Sequence, residues 1–433
     1  WNVLKIDGHD FQALWKVLHD ASKAIRPTLL MGKTIMGKGI DFMEKDSEKN
    51  TFNWHGIAPS PEQSKSALDQ LSLSKSEEDL LDEFRKTQVR WKPEAPFQNE
   101  KHFPPIQPGT PHILSPDVLT DCRSAYGYAL NELASLNPSI VAFTADLGGS
   151  VKTDSMKKSA PDRVFDVGVA EQHLVSCSGG FSLSEFIPFC STFGAFMTSR
   201  AKDQARVNDI NQTNVKMVST HCGLSVGEDG PTHQAIDDLG SFLGFFHTAL
   251  LEPADPNHCD HLIRFVAKTF GNFYVRMGRS KIPILLKSDG SPFYDEKFVF
   301  RLGTYDLLRE GSDLSIFAAG PMVTFALQVA EKLRSRYSFE IIVMNSLSHP
   351  DETLIVNSVQ KTEKALVLED HNPKTGYASM ISRILVKHGR SPLFEKLGVE
   401  EYQFSGKAEQ LYEIAKIGVQ ALEEKALSML QKS

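Results

Sequence analysis

The middle of the chain alternates short apolar segments with helical patterns, and this alternation restricts the fold more than any other feature. Between residues 139 and 277 the apolar segments read SIVAFTA, VFDV, IPFCSTF, VKMVST, TALLE and FYVRM. Segments of this length, rich in β-branched and aromatic residues and separated by helices, are typical of buried parallel strands. We therefore predict an α/β fold of doubly wound, mostly parallel sheets, with ligands bound where the strands end.

Changes in composition divide the chain into four parts. Residues 1–85 contain one strand–helix–strand unit, which cannot cover both faces of its own sheet. Residues 86–115 form a linker, because six prolines between Lys92 and Pro111 prevent a long helix. Ser115-Pro116-Asp117 predicts that the first helix of a second domain, residues 116–297, begins there. Residues 298–433 repeat the strand-then-helix pattern as a third domain.

Composition and charge exclude several classes of protein. The chain has 433 residues and a net charge of −7, so its overall charge gives no support to a nucleic-acid or membrane partner. Five cysteines form no CxxC pair, which favours reduced thiols and a cytoplasmic location. No apolar run approaches a membrane-spanning length and no signal-peptide pattern is present. Because the chain opens on Trp1 within a folded segment, we expect it to be part of something longer.

Two segments concentrate titratable residues among glycines. DVGVAEQHL runs from Asp166 to Leu174, and HCGLSVGEDGPTH runs from His221 to His233. A core would be destabilised by so many ionisable groups, whereas a catalytic or binding site uses them. Two histidines and an acid could instead form a zinc site, but their spacing matches no common ligand motif.

With these motifs, and with STFGAF and WHG elsewhere, the chain resembles the transketolases, which use thiamine diphosphate, over nearly its whole length. The resemblance implies a truncated diphosphate-binding domain, a pyrimidine-binding domain and a transketolase-type C-terminal domain. It also implies transfer of a two-carbon ketol group from a ketose phosphate, such as xylulose 5-phosphate, to an aldose phosphate, such as ribose 5-phosphate, in the pentose phosphate pathway.

The resemblance assigns catalytic roles to three residues. Glu171 matches the glutamate that hydrogen-bonds the aminopyrimidine ring and promotes the imino tautomer that takes the C2 proton. His221 and His233 match residues that contact donor hydroxyls and assist proton transfers. Histidine suits this task because its unperturbed pKa is about 6.5. Some animal transketolases carry Gln at the position of His233.

Other matching residues are assigned to the cofactor and the substrate. Phe193 and Phe196, three residues apart and expected on one helix face, match the pocket for the pyrimidine ring, although aromatic residues at this spacing usually belong to a core. The cofactor set also includes Asp146, His55 and Lys33. The substrate set comprises Arg123, Ser150, His221, Asp229, His233, Arg279 and His55, in which arginine, hydroxyl and backbone donors would hold the phosphate.

The chain departs from the family at the diphosphate. Transketolases hold Mg²⁺ (or Ca²⁺) and the diphosphate through GDG and a later Asn, and no GDG occurs in this chain. The family site lies between two subunits, so we expect a homodimer, completed by a missing N-terminal segment or a second chain that supplies the metal. Two alternatives remain open: a deoxyxylulose-phosphate synthase, disfavoured by His221 and Glu228, and a non-catalytic truncated subunit.

Overall fold

The computed structural model describes residues 1–49, 54, 56–87 and 103–431. The chain separates into two compact units, residues 1–100 and 101–433. This division falls within the range predicted as a linker. Within the described ranges, no helix combines the length and hydropathy needed to traverse a lipid bilayer.

The first unit is built around two parallel strands joined by a helix. Its strands are β1 (Asn2–Asp7) and β2 (Thr28–Lys33), and its helices are α1 (Phe11–Ser22), α2 (Asp41–Glu48), α3 (Pro61–Gln70) and α4 (Lys75–Thr87). Asp10 caps α1 by accepting from the backbone N–H groups of Gln12 and Ala13. The apolar face of α1 is uncovered within this unit, because Phe11 is 83% and Trp15 77% exposed.

The second unit begins with a six-stranded parallel sheet in the order β4-β3-β5-β6-β8-β7. Its strands are β3 (Ile140–Thr144), β4 (Val164–Asp166), β5 (Ile187–Phe193), β6 (Lys216–Thr220), β7 (Thr248–Leu251) and β8 (Asn272–Arg276). All the pairings in this sheet are parallel. The predicted doubly wound sheet is therefore confirmed.

Helices cover both faces of this sheet. They are α5 (Cys122–Leu136), α6 (Gly148–Val151), α7 (Glu171–Leu183), α8 (Gly194–Arg200), α9 (Lys202–Ile210), α10 (Asp238–Phe242) and α11 (Pro256–Lys268). Alternate residues of β3 enter different cores: Val141 and Phe143 join one cluster, while Ile140 and Ala142 join the other. Because both faces are buried, the strands read as continuous apolar segments.

The first helix of the second unit begins later than the sequence predicted. It starts at Cys122, because the Asp121 side chain accepts from the backbone N–H of Ser124 at 3.1 Å and caps the helix there. The prediction of a start at Pro116 was wrong. The helix finishes at Leu136.

A second sheet of five strands follows, in the order β13-β12-β10-β11-β9. Its strands are β9 (Asp306–Arg309), β10 (Leu314–Ala319), β11 (Phe339–Met344), β12 (Lys364–Leu368) and β13 (Leu393–Leu397). Only β9 runs antiparallel, against β11. The helices are α12 (Met322–Lys332), α13 (Glu352–Thr362), α14 (Tyr377–Lys387), α15 (Ala408–Ile414) and α16 (Val419–Leu430). One apolar cluster contains residues of both sheets, including Phe143 and Phe317, so the two sheets share part of a core.

Candidate functional site

The carboxyl ends of four neighbouring strands bring predicted site residues to one edge of the six-stranded sheet. Asp146 follows β3, Phe193 ends β5, His221 follows β6, and Arg279 comes three residues after β8. Asp146 and His221 both have a left-handed φ of 57°. Non-glycine residues seldom adopt this conformation, and when they do it is often at functional sites.

Glu171 is the first residue of α7 and is only 3% exposed. Its Oε1 atom accepts a hydrogen bond from Nη1 of Arg200, the last residue of α8, at 2.7 Å. This is the only side-chain donor to the Glu171 carboxylate among the described residues. A buried carboxylate thus lies at the start of a helix, paired to one arginine and with Oε2 unclaimed by these residues.

Four aromatic rings lie close to one another at the sheet edge. The Phe193 ring lies 3.8 Å from the His221 ring and 5.6 Å from the Phe196 ring, between centroids. The His233 ring meets Phe196 edge-on at 5.1 Å. The prediction that the two phenylalanines share one helix face was wrong, because β5 continues to Phe193 and only Phe196 lies in α8.

His221 is almost completely buried, and its charged state is disfavoured. Burial is the main cause that lowers the pKa of His221 to about 3, and the positive charge of Arg123 adds to it. The sequence-based expectation that His221 has a pKa near 6.5 was therefore wrong. A guanidinium can only donate hydrogen bonds, so Nε2 of His221, which lies 3.5 Å from Nη1 of Arg123, is the accepting nitrogen of the ring. The other nitrogen, Nδ1, therefore carries the proton and donates to the Thr220 hydroxyl at 2.8 Å.

His233 and Asp229 lie on the loop that follows His221. Leu224–Asp229 form a short 3₁₀ helix within which Gly227 has a φ of 73°. Within the described ranges, no group of three or more His, Cys, Asp or Glu residues could hold a metal ion. On this loop Asp229 pairs with Arg279 at 3.6 Å, and Nδ1 of His233 lies 2.9 Å from the Thr232 hydroxyl oxygen.

Arg123 and Arg279 connect the loops around His221. The guanidinium of Arg123 donates to the backbone carbonyl oxygens of Ser150 at 3.2 Å and Arg279 at 3.1 Å, and it pairs with Asp121. Arg279 donates to the Val226 carbonyl at 2.7 Å, and its side chain remains 41% exposed. Arg279 is therefore the more available of the two cations for an anionic ligand.

The remaining predicted site residues differ in what the structure shows of them. Asp146 is exposed, and its backbone N–H donates to the Asp166 carboxylate at 2.9 Å. Ser150 is exposed in α6. Lys33 lies in the first unit, where it lines a cavity of about 600 Å³ at the carboxyl ends of β1 and β2, together with Lys5. His55 lies outside the described residues.

Two further cations lie near these residues and were not predicted from the sequence. Arg200 binds Glu171 and also places its guanidinium carbon 3.9 Å from the centroid of the Phe196 ring. Lys152, with a left-handed φ of 71°, contributes to the positive potential that lowers the pKa of His221. A single arginine or lysine in a helix or turn is usually a surface residue, so neither stood out.

The five-stranded sheet braces the loop that follows His221. Asp370, just after β12, accepts from the backbone N–H of Leu224 with Oδ1 at 2.9 Å and with Oδ2 at 3.0 Å. The Tyr412 hydroxyl donates to the same carboxylate at 3.0 Å. The position of the loop therefore depends on contacts with the last domain.

A buried ion network lies beneath this brace. Arg276 is 1% exposed and donates to the carboxylates of Asp238 and Glu252 and to the carbonyl oxygens of Ala235 and Asp370. Burial raises the pKa of Glu252 to about 7 despite this cation. The network joins the two sheets through one arginine.

Two family descriptions match the second unit. Residues 120–284 match "Transketolase, pyrimidine binding domain", and residues 303–422 match "Transketolase, C-terminal domain". A Methanocaldococcus jannaschii protein named as a transketolase C-terminal section is 30% identical over 73% of this chain and 98% of that protein. This chain belongs to the transketolase family.

The transketolase relatives differ in how much of them the chain covers. Transketolase-like protein 1 of Bos taurus is 30% identical over 88% of this chain but only 61% of the relative's length. A solved structure titled "Split gene transketolase, inactive beta4 tetramer" is 31% identical, covers 72% of this chain and 98% of its own, and has a TM-score of 0.64. The Campylobacter jejuni transketolase shows the same fold with a TM-score of 0.66, 21% identity, and coverage of 99% of this chain and 67% of its own. The chain thus spans about three fifths of the length of several curated transketolase-like relatives.

The family binds thiamine diphosphate, and the described residues fit one half of this cofactor. A buried carboxylate with one open oxygen, joined through Arg200 to Phe196, and two stacked aromatic rings fit the polar edge and the faces of an aminopyrimidine. The diphosphate half requires metal ligands. The described residues include no group of three or more His, Cys, Asp or Glu that could hold a metal ion, and the sequence contains no GDG motif. This transketolase chain therefore carries groups suited to the pyrimidine end.

Proposed function

We propose that this chain is the pyrimidine-binding and C-terminal part of a transketolase that transfers a two-carbon ketol group between sugar phosphates. The main support is the position of Glu171, buried beside Arg200 and at the same sheet edge as Phe193 and His221. Thiamine diphosphate, when bound, supplies the carbon nucleophile and the electron sink. The chain's residues supply orientation, proton handling and recognition of the sugar.

In this proposal each residue has one task. The open oxygen of Glu171 holds a proton at the pyrimidine ring nitrogen, and Phe193 and Phe196 hold the ring. His221 acts as a neutral hydrogen-bond partner for a donor hydroxyl, because burial and Arg123 keep its pKa near 3. Arg279 provides an exposed cation for the substrate phosphate. His233, Asp229 and Ser150 contact the sugar chain, and Asp146 contributes to the cofactor site.

The proposed site is completed by a diphosphate-binding segment, on a second chain or on a longer form of this one. That segment would hold Mg²⁺ and the diphosphate. The exposed α1 side chains of Phe11, Trp15 and Leu18 supply an apolar face for it to cover. Assembly as a dimer, with the site between subunits, belongs to the same proposal.

A second reading is supported by one observation. The split-gene transketolase structure that covers 98% of its own chain is titled as an inactive β4 tetramer. A chain of similar extent can thus fold and associate without turnover. We infer that the present chain alone is inactive and acquires activity only with the diphosphate-binding segment.

A reconstitution assay tests both readings. The chain, with and without its diphosphate-binding segment, is supplied with thiamine diphosphate, Mg²⁺, xylulose 5-phosphate and ribose 5-phosphate. We expect ketol transfer only in the mixture, and a loss of at least about 100-fold for Glu171→Gln, because proton handling of this kind contributes 10²–10⁴-fold. Condensation of pyruvate with glyceraldehyde 3-phosphate in place of ketol transfer would assign the chain to deoxyxylulose-phosphate synthesis.

A further inference from the structure

Arg200 contacts two residues of the proposed pyrimidine pocket at once. Its Nη1 atom donates to Oε1 of Glu171 at 2.7 Å, and its guanidinium carbon lies 3.9 Å from the centre of the Phe196 ring. Glu171 is buried, whereas the side chain of Arg200 is 43% exposed. One guanidinium therefore connects the predicted catalytic carboxylate to the predicted ring platform.

The geometry fixes which carboxylate oxygen is available. Arg200 occupies Oε1, and no described residue donates to Oε2 of Glu171. A charge-assisted hydrogen bond is directional, so it limits rotation of the carboxyl group and orients the second oxygen. The stacking of Arg200 on Phe196 restrains the guanidinium in turn.

The charge of Arg200 has a chemical consequence for a shared proton. When the carboxyl O–H of Glu171 gives its proton to a ring nitrogen, the carboxyl becomes an anion and the ring becomes a cation. A fixed guanidinium beside the anion stabilises that outcome, whereas a neutral residue does not. Arg200 would thus move the shared proton toward the ring.

We propose that Arg200 is a positioning residue for Glu171: it orients the carboxylate and favours placement of the shared proton on the pyrimidine ring nitrogen. This inference rests on the proposed function. Arg200 lies outside the sequence motifs, so the inference adds a new residue to the proposed site.

A double-mutant cycle on the chain alone tests the pair without any cofactor. Glu171→Gln, Arg200→Gln and the double variant are unfolded in urea, with Arg206→Gln as the matched control. Arg206 is exposed on α9 and has no ion pair among the described residues. We expect the effects of the two changes at positions 171 and 200 to be non-additive and those at 171 and 206 to be additive.

The assembled protein tests the positioning role. The rate at which the C2 hydrogen of bound thiamine diphosphate exchanges with deuterium is measured by NMR, and cofactor affinity is measured by calorimetry. We expect Arg200→Gln to slow exchange by about tenfold or more, because proton placement of this kind contributes 10²–10⁴-fold in full. Arg200→Lys, which keeps the charge, should recover part of the rate. In the Glu171→Gln background, loss of Arg200 should have no further effect.

The outcomes separate the inference from the proposed function. Exchange in Arg200→Gln within twofold of wild type, while Glu171→Gln slows it strongly, would overturn the role of Arg200 and leave that of Glu171 intact. Unchanged exchange in Glu171→Gln would instead refute the proposed function. If Arg200→Gln lowers stability but not exchange, Arg200 is structural only and the inference is wrong.

Discussion

Replacing Arg276 with methionine should destabilise the second unit in a pH-dependent way. Arg276 is the cation that binds Asp238 and Glu252 in a region where Glu369 and Asp370 are also buried. Methionine has a similar length but no charge, so the change would leave the buried carboxyl groups without their cation.

The size of the effect follows from this burial. Removing one partner from a buried ion pair costs about 3–5 kcal/mol in the free energy of unfolding. At about 2 °C per kcal/mol for a unit of this size, we expect the melting temperature to fall by roughly 6–10 °C. The exposed pair of Arg334 and Glu331 provides a control, since Arg334→Met should change stability by less than about 0.5 kcal/mol.

The loss should grow with pH. Burial raises the pKa of Glu252 from 4.5 to about 7 and that of Glu369 to about 8, so these groups hold more protons when folded than when unfolded. Stability from such groups decreases as pH rises from about 4.5 through the folded-state pKa. Arg276 opposes this rise in both pKa values, and its removal raises them further. The difference between variant and wild type should therefore be larger at pH 8 than at pH 5.

Differential scanning calorimetry at pH 5, 6.5 and 8 would measure this dependence. Adding Glu252→Gln to Arg276→Met should recover part of the stability at pH 8, because one buried acid is removed. An equal loss for Arg276→Met at pH 5 and pH 8, or a loss no larger than that of Arg334→Met, would refute the argument.

Two further predictions concern the proposed contact of Arg279 with the substrate phosphate and the loop that follows His221. Arg279→Ala should raise the KM for phosphorylated sugars in the reconstituted assay by about tenfold or more while leaving kcat similar, because a charge-assisted contact is lost; an unchanged KM would remove Arg279 from the phosphate site. Asp370→Asn should increase hydrogen exchange at the backbone amide of Leu224, because Asn offers only one side-chain oxygen acceptor, whereas both Asp370 oxygens accept from this amide; unchanged exchange at Leu224 would show that another contact holds the loop.

The strands could be predicted from the sequence because burial on both faces imposes a simple composition. Segments such as IPFCSTF and VKMVST correspond to β5 and β6 nearly residue for residue. Helix boundaries were harder to predict, because more than one nearby residue could cap the same helix. Ser115-Pro116-Asp117 and Asp121 are both plausible starts, and only the structure shows that Asp121 accepts from Ser124.

The sequence motifs singled out the candidate site residues but not the residues that support them. Glu171 and His221 stand in distinctive segments, whereas Arg200 and Arg276 are single arginines whose carboxylate partners lie 29 and 24–38 positions away. Pattern reasoning cannot pair residues at such separations. The pKa of His221 was missed for the same reason, because its shift comes from burial and from Arg123, which lies 98 positions earlier.

The contact between Asp370 and Leu224 also sets an order of events during synthesis. The two residues are 146 positions apart. At 5–20 residues per second, a ribosome needs about 7–30 s to extend the chain from Leu224 to Asp370. Throughout that interval the loop carrying Asp229 and His233 lacks its brace, even though the strands before it have been made. This loop should therefore be among the last parts of the nascent protein to reach its final conformation.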